Sequence, residues 1–268
     1  MAFDATCPIA AMTKYLGSAG GGGSAAQVFG DSDGVQYVVK FKENSQGLRV
    51  LANEFVVNKL ALFLEVPVPQ GAIIQIPVEL IGVTPILSTG RGTTGPISSG
   101  PHFGVRRLIN FWRNPPPDAL SKIKNKDDVP GIFVLDLLGL NTDRKPEHLI
   151  ILKPDYNHTV YVVSAIDHGH CFGVPNWDIT IEKKIDVDNL QITPGLMECV
   201  IGANPFKPFL DRLAQLDKAT IDQIISQIPA DWGVSPEERT ALGSFLDIRK
   251  GKIGDILIKN KNKFPHWI

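Results

Sequence analysis

The chain has 268 residues, 43% of them hydrophobic and 21% charged, with a formal net charge of −1. That length buries a sizeable core and accommodates one large domain or two lobes. The near-neutral balance gives no electrostatic case for a nucleic-acid surface, and no run reaches the ~18 uninterrupted apolar residues of a membrane span. Cys7, Cys171 and Cys199 form no CxxC pair and read as reduced thiols. Asp4 stands early and no basic stretch precedes the first apolar residues, which does not fit a secretory signal. The expected location is the cytoplasm.

In chain order, Thr13–Lys42 reads as a small β unit. Its glycine-dense start, Gly17–Gly23, continues into a GGGGS string, Gly20–Ser24, that also matches a flexible linker. Only about twenty residues precede it, too few for a domain, so a glycine turn between two strands fits better. Asp31-Ser32-Asp33-Gly34 is a hairpin turn, and the alternating run VQYVVKF carries Lys40. From Gln46 to Leu64 the spacing turns helical. Leu51, Phe55, Leu60 and Leu64 form an apolar stripe, with Asn53, Glu54, Asn58 and Lys59 placed on the surface. The prolines of Glu65–Pro69 end that helix. Ala72–Ile76 is a strand, and the Ser/Thr/Gly-rich stretch Ser88–Gly100 reads as a flexible connection between two lobes, about 1–98 and about 99–268.

A short helix is predicted over Arg106–Trp112, then a polar loop over Arg113–Pro130, then a buried helix over Ile132–Leu140 with Asp136 inside it. Two strand-like runs follow, Leu149–Leu152 and Thr159–Ile166, joined by a turn at Pro154–Asn157. Asp143 precedes the first run and Asp167 follows the second. Antiparallel neighbours lie ~5 Å apart, so both carboxylates are expected at one mouth. Gly173–Pro205 shows little periodicity and is expected to be long and partly extended. Phe206–Trp267 reads as several helices, with Ser235-Pro236-Glu237-Glu238 as a helix start.

A glycine-rich turn, a strand lysine, a helical glutamate fourteen residues later and two aspartates therefore occur in one order. Phosphoryl transfer from a nucleotide needs these parts. Glycine N–H groups approach phosphates closely, a lysine neutralises them, and a glutamate holds that lysine. One carboxylate orients the acceptor proton while another binds magnesium through hard oxygens. Each part alone has a plainer reading: a loop, a solvated strand lysine, a solvated helix face, a turn cap. The order and spacing together point to a kinase.

On these residues the chain resembles the HipA-like kinase family, a branch of the protein-kinase-like superfamily, over nearly its whole length. The resemblance rests on DGVQYVVKF (Asp33–Phe41), GLRVLANEFVVNKLALFLEVPVP (Gly47–Pro69), GPHFG (Gly100–Gly104), NTDR (Asn141–Arg144) and AIDHG (Ala165–Gly169). It implies an α+β, bilobal protein-kinase-like fold in a single kinase domain, with a β-rich N-terminal lobe and a mainly helical C-terminal lobe. The implied activity is transfer of the γ-phosphate of ATP, with Mg2+ or Mn2+, to a hydroxyl on a protein. Lys40 would contact the α- and β-phosphates and Glu54 would pair with it. The turn of Gly20, Gly21, Gly22, Gly23 and Ser24 would cover the phosphates. Asp143 would be the catalytic aspartate, Asp167 the metal ligand, and Gly100–Arg107 would lie near the lobe connection and the adenine.

One departure stands out. The kinase spacing D-x-K-P-x-N is present as Asp143-Arg144-Lys145-Pro146-Glu147-His148, with histidine where a second metal-binding asparagine is expected. Magnesium prefers oxygen, so imidazole is a poor ligand for it. Three readings follow: His148 substitutes in an enzyme using one magnesium or manganese; Glu147 or Asn141 supplies the oxygen; or the protein is a pseudokinase that binds nucleotide as an interaction module. A fourth idea is a zinc or iron site built from His168 and His170 with Cys171 or His148 as a further ligand, against the plainer reading of buried histidines beside a small thiol.

Overall fold

The computed structural model describes residues 3–20, 25–47, 49–90, 93–109, 111–112, 122–152, 161–173, 176–191 and 193–268. The Pro154–Asn157 turn and residues 113–121 of the 113–130 loop lie outside the described residues. Alternation builds the first layer. β1 (Ile9–Ser18), β2 (Gln27–Asp31) and β3 (Gln36–Lys40) form an antiparallel meander. β4 (Gly71–Ile76) and β5 (Gly100–Arg106) pair with each other, β5 pairs with β3, and β1 runs parallel to β4. The strands close into a barrel in the order β1-β2-β3-β5-β4. The turn before β3 forms as the sequence dictates: the Asp31 carboxylate accepts from the N–H groups of Asp33 and Val35, and Gly34 takes φ +80°.

The barrel has its own core, with Phe29, Tyr37, Val39, Ile74 and Ile76 joined by Leu87 and Ile97. Two short helices, α2 (Val78–Gly82) and α3 (Pro85–Thr89), cover its side. The stretch expected as a flexible connection behaves differently. Ile97 is buried and its N–H bonds to the Leu87 carbonyl, while the Thr94 N–H bonds to that of Glu43. Residues 93–99 thus fold back onto the barrel, and the expected boundary near residue 98 lies ahead of β5, a barrel strand. The helix expected over Arg106–Trp112 is absent. Arg106 ends β5, and Phe111–Trp112 is β6. Pairing of Arg106 with β3 and of β6 with the strand Leu149–Leu152 overrides the local preference of this stretch.

A second, larger core joins α1 (Val50–Phe63), α4 (Val129–Leu138) and the C-terminal helices. Those helices are α5 (Pro194–Met197), α6 (Lys207–Gln215), α7 (Lys218–Ser226), α8 (Pro236–Arg249) and α9 (Ile253–Lys259). The last strands, β9 (Ile201–Gly202) and β10 (His266–Trp267), pair in parallel. β7 (Leu149–Leu152) and β8 (Val162–Ala165) pair antiparallel beside β6, with Leu149 opposite Ala165. The architecture is α+β with a sheet-rich N-terminal lobe and a helical C-terminal lobe. No described helix is long and apolar enough to cross a membrane.

α1 corrects the surface placement of its polar residues. Asn53, Glu54, Asn58 and Lys59 are all buried, at 0–4% exposure. Each has found a partner. Asn58 donates to the Pro69 carbonyl and accepts from the Gly71 N–H, fixing the start of β4. Lys59 donates to the Thr6 carbonyl. Glu54 faces the cleft between the lobes, and Asn53 is buried against the segment after Asp167.

Candidate active site

A cleft of ≈ 440 Å³ opens where the barrel meets the helical lobe. Val28 and Val38 line it from the barrel, Ala165 and Ile166 from the far side, and Phe103, Val105 and Leu108 at the connection. Lys40 ends β3 opposite Phe103, and its Nζ reaches both the Glu54 carboxylate and Asp167 Oδ1, the latter at 2.7 Å. Burial alone would lower the pKa of this ammonium, but Glu54 and Asp167 outweigh it and raise it, so Lys40 is charged. Burial pushes the Glu54 carboxyl up against the pull of Lys40. For Asp167 burial also acts upwards, but Lys40 and His148 hold the carboxyl well below the usual carboxylate range. One ammonium thus spans two carboxylates, and Asp167 is the firmly ionised one.

The two aspartates arrive at one mouth as the β7–β8 pairing requires. The Ile166 N–H bonds to the His148 carbonyl one step beyond the ladder, and Asp143 and Asp167 both line the cleft. Asp167 adopts φ +60°, a left-handed conformation uncommon outside glycine, which suits a residue turned inward by its surroundings. Asp143 is partly exposed, and its carboxylate lies 2.7 Å from Lys145 Nζ. The Asp143 N–H donates to Asn141 Oδ1 at 3.0 Å, and the Asn141 amide donates to Asp136 at 2.8 Å. Asn141 is fully buried and both ends of its side chain are engaged, so it braces the loop and is not the spare oxygen ligand. Glu147 is exposed and lines the cleft.

His148 also lines the cleft, with Nε2 3.5 Å from Asp167 Oδ2. Burial depresses its pKa below the ordinary histidine value despite the nearby carboxylate, so the ring is neutral at pH 7. Its buried Nδ1 has no hydrogen-bond partner. The donor set on this wall is therefore the Asp167 carboxylate, the Asp143 and Glu147 carboxylates, and one neutral imidazole. Carboxylate oxygens suit magnesium or manganese, whereas the imidazole suits manganese better than magnesium. Asp167 offers carboxylate oxygen to one hard divalent cation, whose remaining ligands would have to come from phosphate oxygens and water, because no three such side chains cluster among the described residues.

The zinc idea loses its ligands. His168 is 2% exposed with Nδ1 3.3 Å from Arg144 Nη2, and Cys171 is fully buried in the larger core. Arg144 donates to that nitrogen, which leaves the ring proton on Nε2, and burial holds the His168 pKa down to about 3. Among the described residues no three His, Cys, Asp or Glu side chains cluster as a metal would need.

Gly20 lines the mouth with φ +94°, just after β1, and Ala19 pairs with Ala26 at the base of the β1–β2 connection. The strands on either side pair with each other, so this stretch joins two strands of one barrel and does not link two domains. Gly21, Gly22, Gly23 and Ser24 lie outside the described residues.

Two residues in the frame carry no local sequence signal of their role. Arg144 is buried, grips Asp136 through Nε and Nη2 at 2.8 Å, and donates from Nη1 to the carbonyls of Ile166 and His148. It ties α4, the turn before β7 and the approach to Asp167 into one piece. Burial would lower its pKa, but Asp136 outweighs that and keeps it charged. Asn53 does the same from the other side. Its Nδ2 donates to the carbonyls of Gly169 and Cys171, and its Oδ1 accepts from the Trp177 indole N–H. An aspartate inside an apolar helix run was the one sequence signal, because a buried charge demands a partner.

Comparison with known proteins bears on the family and the fold. The family model for HipA-like kinases matches residues 21–264. Among solved structures, the Helicobacter pylori proinflammatory kinase CtkA superposes with a TM-score of 0.54 at 17% identity, over 88% of this chain and 94% of that one. The Golgi casein kinase with Mn/ADP bound gives 0.54 at 15% identity, over 95% of this chain and 73% of that one. The fold is protein-kinase-like. No curated protein matches the chain. The chain belongs to the HipA-like kinase family.

Proposed function

We propose that the protein is an ATP-dependent phosphotransferase that moves the γ-phosphate to a serine or threonine hydroxyl of a protein acceptor in the cytoplasm. The observation that supports this best is the single ammonium of Lys40 held between Glu54 and Asp167 across a cleft that Asp143 also lines. The purine would lie between Val28 and Val38 above and Ile166 below, its edge toward Val105–Leu108. Lys40 holds the α- and β-phosphates, fixed in direction by Glu54, and the Gly20–Ser24 turn covers them. Mg2+ or Mn2+, when bound, neutralises the charge that grows on the transferring phosphoryl group. Asp167 supplies its carboxylate ligand, with His148 beside it. Asp143 accepts the acceptor hydroxyl proton and aims the oxygen, while Asn141 holds the loop that carries it. Positioning and charge neutralisation supply most of the rate enhancement.

The test is transfer of radiolabelled γ-phosphate, autophosphorylation included, by wild type, Asp143→Asn and Asp167→Asn. Loss of labelling by roughly 10²-fold or more in each variant is expected. Equal labelling in all three sinks the assignment. The unpartnered Nδ1 of His148 favours a second reading, nucleotide binding without turnover, because a metal-ligating histidine normally donates its other nitrogen to a partner. The Golgi casein kinase structure holds Mn/ADP, which makes manganese the first metal to try. Calorimetric titration of ATP with Mg2+, with Mn2+ and with neither, on wild type and His148→Asn, separates the readings. Metal-independent binding with no transfer in either protein supports the module, and metal-dependent binding that gains magnesium in His148→Asn supports the enzyme.

A further inference from the structure

Helix α1 carries Glu54 but holds few of the signals that fix a helix start. No side chain caps it at Arg49, and its first turn contains no acidic residue. Its start is held from outside, and the contacts at that start come from the segment 231–238 that leads into α8 and from Trp177. Arg49 Nη2 donates to Glu238 Oε1 at 2.5 Å, and Nη1 donates to the Gly233 carbonyl at 3.0 Å. Both charged side chains are only 11–12% exposed, and the Arg49 guanidinium also lies over the Trp177 ring at 5.6 Å. Trp177 is itself bonded to Asn53, the neighbour of Glu54. Trp232 packs edge-on against Phe55, the other neighbour, and donates to the Pro101 carbonyl at the start of β5. Glu238 is held ready for this by α8, since its Oε2 accepts from the Ser235 N–H in a capping box, which leaves Oε1 for Arg49.

We propose that Arg49, Glu238 and Trp232 are positioning residues that clamp α1 so that Glu54 stays opposite Lys40, assembling the site without a partner protein or a modification. The helical lobe sets the angle of a helix whose working end faces the barrel. Arg49 and Glu238 touch neither the cleft nor its contents. They act through the helix axis, and the inference rests on the reading of Lys40 and Glu54 given above only for its kinetic arm.

The test combines that arm with one that needs no catalysis. Acetic anhydride labels amines according to how far they are free and uncharged, and mass spectrometry reads Lys40 directly. In Glu238→Gln the rate of Lys40 labelling should rise roughly five- to tenfold, kcat should fall by a similar factor, and KM for nucleotide should stay within about twofold. Arg49→Lys, which keeps the charge but loses the two-pronged contact, should fall between the two. Arg49→Met combined with Glu238→Gln should do no more than Arg49→Met alone. Labelling of Lys40 that stays at the wild-type rate in Glu238→Gln and Arg49→Met overturns the clamp, even when thermal stability has dropped, because the pair then only braces the fold. Wild-type protein that transfers no phosphate overturns the kinase reading instead, while the labelling comparison still decides the clamp.

Discussion

Two helices of fourteen residues, α1 and α8, show how differently a sequence can build the same element. α8 has a solvent side. Ser235 caps it in a capping box, Pro236 opens it, and Ala241, Leu242, Phe245 and Leu246 face the core while Ile248 and Thr240 look outward. α1 has none of these. Twelve of its fourteen residues are buried, from Val50 to Ala61, and its four polar side chains point at partners rather than water. A buried polar group without a partner costs about 1–3 kcal/mol, so such a helix is viable only where the rest of the chain supplies four partners. Those partners are Lys40, the segment after Asp167, the start of β4 and the N-terminal strand region. The helix without a solvent side is the hub to which the candidate site is bolted.

The sharpest way to break this contrast is at Glu54. Replacement Glu54→Gln should lower kcat roughly 10²-fold by releasing Lys40 from its direction, whereas Glu237→Gln on α8, exposed and outside the cleft, should leave the rate unchanged. Steady-state kinetics on the two variants decides it. Asn53 should show the same asymmetry in stability. Asn53→Ala leaves two carbonyls and an indole N–H without their partner, at a cost of about 2–4 kcal/mol in urea denaturation. The matched change on α8, Thr240→Ala, should stay within about 0.5 kcal/mol. Equal costs would mean that the brackets on α1 are incidental.

The difference between the helices also explains what the sequence made legible. α8 was readable because its capping residues and apolar spacing are local. Lys40, Glu54, Asp143 and Asp167 were readable because their order along the chain is a pattern in itself. Their placement around one cleft follows from β3, α1 and the β7–β8 pairing. The surface placement of Asn53, Asn58 and Lys59 fails because polar spacing on a helix does not by itself mean water, and the partners lie up to 124 residues away. Arg144 escaped notice for the same reason: its value lies in carbonyls that only the folded chain brings to it. The helix expected over Arg106–Trp112 failed because strand pairing, a non-local demand, claims both ends of that stretch, Arg106 in the barrel and Phe111–Trp112 beside β7.

His102 in β5 carries the lesson of α1 into the barrel, with a smaller effect. It is fully buried, accepts from the Lys42 N–H through Nδ1 and faces the Ser98 carbonyl with Nε2. Burial holds its pKa down to about 4, so the native ring is neutral. An unfolded histidine titrates near 6.5, so below that pH the unfolded chain takes up a proton that the native state refuses. Its contribution is complete above about pH 6.5 and is lost as pH falls toward about 4, at about 1.4 kcal/mol per pH unit. Denaturation of wild type and His102→Gln across pH 7 to 5 should give two curves that converge by that slope. Parallel curves would exclude His102 as the source.

The smallest effect tests whether the two helices are independent at all. Ser235→Ala removes a cap worth about 1 kcal/mol. The Ser235 hydroxyl accepts from the Glu238 N–H, while the Ser235 N–H steadies Glu238 Oε2. The same glutamate holds Arg49 at the start of α1. If α8 is only a well-capped helix, the costs of Ser235→Ala and Arg49→Lys should add. If its cap also orders the carboxylate that positions α1, the double variant should cost less than the sum by about 0.5 kcal/mol or more, because the first change has already loosened what the second removes. The non-additive result is expected, since the motif most easily read from the sequence shares an atom group with the helix that was hardest to read.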